Sequence, residues 1–157
     1  MRVHILNKKE FDVLMANNKI TDKNVEKMDS IFFISIVDTD VFSVSREPYF
    51  KEDHANVMTL KFDDVEHDMM ASPTQAYDTR AFTEGQAKKL YEFIKTHREK
   101  ETCIVHCMAG ISRSGAVGTF VNGYAQGDWE LFKRDNPFIS PNGRVHRMLN
   151  EAKYNDF

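Results

Sequence analysis

The sequence has few cysteines. Cys103 and Cys107 are the only two among 157 residues, too few for a framework of disulfides. If the segment between them is extended, four residues at about 3.3 Å each separate the two Cα atoms by roughly 13 Å, which is beyond disulfide reach. We therefore expect free thiols in a reducing cytoplasm, with Cys103 a buried strand residue.

Long apolar runs and an excess of positive charge are also missing. No run is long enough to span a membrane, and the N-terminal segment lacks the apolar core of a signal peptide. The formal net charge is −3, so no basic field favours nucleic acid as a partner. No spacing of Cys, His or Asp indicates a metal site. We expect no metal, no cofactor and no membrane partner, and a monomer.

The remaining composition is that of a globular protein, with 41% apolar and 29% charged residues. Strand and helix patterns alternate along the chain. Strands are predicted at 2–6, 31–37, 57–62 and 102–106, and helices at 8–16, 21–28, 83–97, 113–126, 128–132 and from 141–142 onward, with Gly127 as the left-handed stop of one of them. This predicts an α/β fold in a single domain, residues 1–157, with a mostly parallel sheet of four to five strands and helices on both faces. The long connection 66–82 is predicted to lack regular structure and to act as a lid or binding loop.

The stretch from His106 to Ser114 carries the chemistry. A strand ends at His106, Cys107 and a turn containing Gly110 follow, and a helix begins near Arg113. Helix N-termini attract anions, and a thiolate at such a position is stabilised and nucleophilic. Arg113 can direct two N–H groups at one oxyanion. The pattern therefore predicts a phosphate site, in which the backbone amides that surround the anion belong to Met108, Ala109, Gly110, Ile111, Ser112 and Arg113.

This stretch, His-Cys-x5-Arg-Ser, resembles the signature of the cysteine-dependent protein tyrosine phosphatase superfamily, and more narrowly its compact dual-specificity-like members. The resemblance extends from residues 62–65 through the helix after Arg113, and more loosely to 136–142. It implies a phosphatase catalytic domain in which Cys107 attacks phosphorus and forms a phosphocysteine. Arg113 and the loop amides would hold the phosphoryl oxygens, Ser114 would hydrogen-bond the sulfur, and His106 would support the loop.

The leaving group of such a reaction needs a proton. In the family that proton comes from an aspartate in a loop after an earlier strand. We assign this role to Asp64, because Phe-x-Asp at a strand end matches the family best, although its spacing from Cys107 is longer than usual. Asp68 and Asp78 are the alternatives, and Asp63 is expected to point to the opposite side of the strand.

Three functions remain open at this point. The first is hydrolysis of phosphotyrosine in proteins or peptides, with phosphoserine and phosphothreonine as further substrates. The second is hydrolysis of a phosphoinositide or an RNA 5′-phosphate, although relatives of that kind carry lysines in the loop or a basic surface. The third is a catalytically dead module that binds phosphoresidues, which would be expected to lack the cysteine, the arginine or the acid.

Overall fold

A computed structural model of the chain describes residues 1–39, 47–66, 69–70, 77–78 and 81–156. Its main sheet has four parallel strands, β1 (Arg2–Asn7), β2 (Ile31–Val37), β3 (Val57–Lys61) and β6 (Thr102–Cys107). Their order in the sheet is β1–β6–β2–β3. A separate antiparallel pair is formed by β4 (Met69–Met70) and β5 (Tyr77–Asp78). The carboxyl ends of the four parallel strands meet at one edge, where α/β sheets bind ligands.

Helices cover both faces of this sheet, which confirms the predicted α/β class. The α-helices are α1 (Lys8–Asn17), α2 (Glu84–Thr96), α3 (Arg113–Tyr124), α4 (Trp129–Asp135) and α5 (Gly143–Tyr154). One face packs against α1, where Phe11 contacts Phe33 edge to face. The other packs against α2 and α3, and Phe32 contacts Phe93 of α2. Strand β2 is buried on both faces because its apolar run is unbroken except at Ser35.

Local capping signals set several helix boundaries. Thr83 and Gln86 form the predicted capping box of α2, and Asn7 and Glu10 form another at α1. Asp128 and Asn142 accept hydrogen bonds from the first turns of α4 and α5. None of the helices in the described ranges is long and apolar enough to cross a membrane.

The predicted helix at 21–28 is wrong. Only Val25–Lys27 is helical, as one 3₁₀ turn. The backbone of Asn24 departs from helical dihedral angles, with φ −126° and ψ −5°. The N–H groups of Asn24, Lys27 and Met28 each donate to the carbonyl three residues earlier, which is the bonding of 3₁₀ turns and not of an α-helix.

The end of α3 and the long connection also differ from prediction. Gln126, with φ +56°, takes the left-handed position that was assigned to Gly127. A Cβ at Gly127 would lie 2.2 Å from Asn122 Oδ1, so the buried Asn122 side chain would have to move to accommodate it. Within the connection 66–82, the residues of β4 and β5 form a short ladder, where no regular structure was expected.

Candidate active site

The loop of residues 108–112, here called the phosphate loop, connects β6 to α3. Its turn depends on Gly110, which has φ +70°. A Cβ at this position would also lie 2.6 Å from the Asn7 backbone nitrogen and 2.8 Å from the Leu6 carbonyl carbon. Only glycine combines the left-handed conformation with so close an approach of two backbones. The loop is thereby packed against the end of β1.

Cys107 lies at the base of this loop and is only 2% exposed. Its Sγ is 3.0 Å from Ser114 Oγ and 3.3 Å from the Gly110 nitrogen, which donates to it. Burial alone would raise the pKa of the thiol. The hydroxyl and backbone N–H of Ser114, the Arg113 charge and the Gly110 N–H outweigh burial, so the pKa of Cys107 is lowered. Both cysteines are free thiols, as expected.

The backbone of the phosphate loop is oriented by its neighbours. Three of its carbonyl groups accept hydrogen bonds from other segments: Met108 from Lys8 N–H (3.3 Å), Ile111 from Ser140 N–H (2.9 Å) and Ser112 from Asn142 N–H (3.0 Å). Four of its N–H groups donate no hydrogen bond to any described residue: those of Met108, Ala109, Ile111 and Ser112. In an anion-binding nest, the backbone carbonyl groups are hydrogen-bonded to other segments and the N–H groups remain available for the anion, as they do here.

Arg113 is only 5% exposed, and its described hydrogen bond and ion pair both involve Nη1. Its Nη1 donates to the Phe62 carbonyl at 2.8 Å and pairs with Asp38 Oδ1 at 2.7 Å. Its Nε is buried and has no hydrogen-bond partner among the described residues. A guanidinium anchored in this way can keep further N–H donors for an oxyanion. Asp38 was not predicted from the sequence, although its place directly after the buried strand β2 was a usable signal.

His106 is fully buried beneath the loop. Its Nε2 is hydrogen-bonded to Ser35 Oγ, and its ring lies 4.2 Å from that of Phe11. Burial lowers the pKa of His106 to about 3, with the backbone of Cys107 opposing the shift and the charges of Lys8 and Arg113 adding to it. The ring is therefore neutral near pH 7, which suits the structural role expected for it. Ser35 was not predicted as a partner of His106, although it carries the only hydroxyl group in the otherwise apolar strand β2.

Asp64 lies against the phosphate loop. Its Oδ1 accepts a hydrogen bond from Ser112 Oγ at 2.8 Å and another from Asn142 Nδ2 at 2.8 Å. The carboxylate of Asp63 has a different partner: its two oxygens accept hydrogen bonds from the N–H and the hydroxyl of Thr39, at 2.9 and 2.8 Å. The two neighbouring aspartates thus have different partners. The alternative acids cannot be compared with them, since Asp68 and the side chain of Asp78 lie outside the described residues.

The described residues bring together a cysteine with a lowered pKa, unused backbone N–H groups and a partly free arginine. In these ranges no group of three His, Cys, Asp or Glu side chains is placed to hold a metal ion. The cysteine, the arginine and the backbone N–H groups together can offer a tetrahedral anion a nucleophile and several N–H donors.

Comparisons with known proteins give matches among solved structures. No protein-family model matches the chain, and no curated protein sequence matches it either. A human tyrosine phosphatase-like serine/threonine/tyrosine-interacting protein is 18% identical over 83% of this chain and 81% of its own, with a TM-score of 0.49. Tk-PTP in its active form is 16% identical over 85% and 86%, with a TM-score of 0.44. Human DUSP28 is 14% identical over 98% and 92%, with a TM-score of 0.49. At such similarity, function has to be inferred from the site residues themselves.

Proposed function

We propose that the protein is a cysteine-dependent phosphatase that hydrolyses phosphotyrosine in proteins or peptides through a phosphocysteine. One observation carries the proposal: the Cys107 thiol, with its lowered pKa, lies at the end of β6, where it contacts Ser114 of the first turn of α3 and the phosphate loop with its unused N–H groups. Nucleophilic cysteines are found where such donors stabilise the thiolate. The reducing cytoplasm suits its two free thiols.

In the first step the Cys107 thiolate attacks phosphorus in line with the leaving oxygen. The S–P bond forms as the P–O bond breaks, and the leaving oxygen takes a proton from the Asp64 carboxylic acid. Arg113 and the amides of the phosphate loop hold the three remaining phosphoryl oxygens while their charge is redistributed. The products are a free tyrosine side chain and phosphocysteine at position 107.

In the second step water attacks the phosphocysteine. The water gives a proton to the Asp64 carboxylate, the S–P bond breaks with its electron pair going to sulfur, and inorganic phosphate leaves. The Ser114 hydroxyl, 3.0 Å from the sulfur, can donate to the thiolate as it forms. This hydrogen bond stabilises the leaving sulfur and restores the starting state of the enzyme.

Asp64 is the proposed acid on the ground of its contacts. Both of its described hydrogen bonds go to Oδ1, from Ser112 and Asn142. Its Oδ2 accepts none from the described residues, so that oxygen can carry the transferred proton. The carboxyl group is also exposed, as a group that meets a substrate oxygen must be.

Changing Asp64 to asparagine tests this assignment. We expect kcat for phenyl phosphate to fall about a hundredfold, since general acids contribute factors of this size, and the alkaline limb of the pH–rate profile to disappear. Asp63→Asn is the matched control, because it removes the neighbouring carboxylate that binds Thr39 and leaves the proposed proton donor in place. An unchanged pH profile in Asp64→Asn would transfer the role to Asp68 or Asp78.

The surroundings of the phosphate loop favour an aromatic phosphoester. Ile111 and Phe138 are 41% and 84% exposed, and together with Ala109 and Gly110 they line one groove beside the loop. The loop carries no lysine, and the net charge of the chain is −3. Highly charged substrates such as phosphoinositides or triphosphorylated RNA are better matched by basic surfaces.

Phosphate release from a substrate panel tests the proposed function. We expect phosphotyrosine peptides to be hydrolysed with a kcat/KM at least about tenfold above those of phosphoserine and phosphothreonine peptides, phosphoinositides and triphosphorylated RNA. Preference for a phosphoinositide or the RNA would keep the chemistry and reject the proposed substrate. If the protein bound phosphotyrosine peptides and released no phosphate from any substrate, it would be the binding module instead.

A further inference from the structure

Asn142 lies where α5, the phosphate loop and Asp64 meet. It is only 2% exposed. Its backbone N–H donates to the Ser112 carbonyl at 3.0 Å, and its side chain contacts both the first turn of α5 and the segment that contains Asp64. No role was assigned to this residue beyond starting a helix. We propose that Asn142 is a positioning residue that holds the acid Asp64 against the phosphate loop, an inference that rests on the proposed function.

The side chain of Asn142 performs two separate tasks. Its Oδ1 accepts the Val145 N–H at 3.0 Å, which caps α5. Its Nδ2 donates to Asp64 Oδ1 at 2.8 Å and to the Val65 carbonyl at 3.3 Å. Capping requires only the acceptor, and serine or aspartate supplies it as well as asparagine does. The amide nitrogen is therefore what asparagine adds at this position, and its bonds go to the acid segment.

A second contact ties the same two segments together. Glu66 Oε1 accepts the Gly143 N–H at 3.1 Å, so residues 64–66 are attached to the N-terminus of α5 at two adjacent positions. Ser112 Oγ shares Asp64 Oδ1 with Asn142. Asp64 is thus fixed between the phosphate loop and α5 by Oδ1, while its Oδ2 accepts no hydrogen bond from the described residues. A carboxyl group that must protonate a leaving oxygen benefits from such orientation.

Asn142→Ser separates the two tasks, because serine retains a capping oxygen and lacks the amide nitrogen. We expect kcat/KM for phenyl phosphate, whose leaving group needs a proton, to fall about 30-fold. For p-nitrophenyl phosphate, whose leaving group is stable as an anion, the fall should be about threefold or less. The rate at which iodoacetate alkylates Cys107 should stay unchanged, since the nucleophile and its donors are untouched.

Asn136→Ser is the matched control. Asn136 is also buried, and its Nδ2 donates to the carbonyls of Val3 and Phe132 while its Oδ1 accepts the Ile5 N–H. The Asn136→Ser substitution removes a comparable set of hydrogen bonds, and these connect Asn136 with β1 and α4 and not with Asp64. We expect the thermal stability of this variant to fall at least as far as that of Asn142→Ser, with both substrates affected equally.

A double variant completes the test. In the Asp64→Asn background, Asn142→Ser should cause no further loss with phenyl phosphate, because there is no acid left to position. Equal losses for the two substrates in Asn142→Ser, or a full additional loss in the double variant, would overturn the inference. If the unaltered protein hydrolyses neither substrate, it is the proposed function that fails, so the two failures are distinguishable.

Discussion

The Cys107→Ser variant is expected to lose turnover of p-nitrophenyl phosphate by about ten-thousand-fold or more. Serine lacks an ionisable thiol, and its hydroxyl cannot replace a thiolate whose pKa is lowered by Ser114, Arg113 and Gly110. The phosphate loop remains in place, so inorganic phosphate should still bind, as measured by calorimetry. Initial rates at several pH values check the first expectation. In the unaltered enzyme, the acid limb of kcat/KM should lie below the ordinary titration range of cysteine.

Cys103→Ala is the control for this variant. Cys103 occupies the same strand and is equally inaccessible, but burial raises the pKa of its thiol and keeps it neutral. We expect the alanine variant to retain turnover within a few-fold, since it removes only a small buried side chain. Turnover that survives in Cys107→Ser, or disappears in Cys103→Ala with the fold intact, would assign the nucleophile to another group.

Arg113→Lys is expected to lower kcat by about a thousandfold without unfolding the protein. Lysine can still pair with Asp38, which now contacts Nη1 at 2.7 Å. Its single ammonium group cannot bind Asp38 and the Phe62 carbonyl while directing further donors at the phosphoryl oxygens. Steady-state kinetics with p-nitrophenyl phosphate gives kcat and KM separately, and circular dichroism checks the fold.

Arg2→Lys provides the matched change at a distant salt bridge. Arg2 contacts Asp135 through both Nε and Nη2, at 3.1 and 2.8 Å, at the end of β1 away from the phosphate loop. This pair is partly exposed, so its loss changes stability by less than about 1 kcal/mol, and kcat should be unaffected. A kcat in Arg113→Lys within tenfold of the original would contradict the role given to the arginine.

Elements of the fold that are determined by residues close together in the sequence could be predicted. The buried run of β2, the capping box at Thr83 and the strand–turn–helix around Cys107 all have local signals, and each is present. The predicted helix over 21–28 is an exception, because Asn24 departs from helical dihedral angles and the segment forms backbone bonds three residues apart. The periodicity of apolar residues does not distinguish such 3₁₀ turns from an α-helix.

Contacts between residues far apart in the chain could not be predicted. Asp38 joins Arg113 across 75 residues, and Asn142 joins Asp64 across 78. Ser35 joins His106 only because β2 and β6 are adjacent in the sheet, with those two residues in register. Strand order and register determine all such pairs, and a single sequence specifies neither directly. Cys107 and the loop after it could therefore be identified from the sequence as a candidate site, whereas the distant residues that contact this site could not.

Trapping the covalent intermediate tests the central claim most directly. The enzyme is mixed with a phosphotyrosine peptide, quenched in acid within the first turnover, digested and analysed by mass spectrometry. We predict a phosphoryl group on the peptide that contains Cys107, transient in the unaltered enzyme, longer-lived in a variant with slowed hydrolysis and absent from Cys107→Ser. Turnover that proceeds with the phosphoryl group on a different residue, or with no covalent phosphoenzyme at any quench time, would contradict the account.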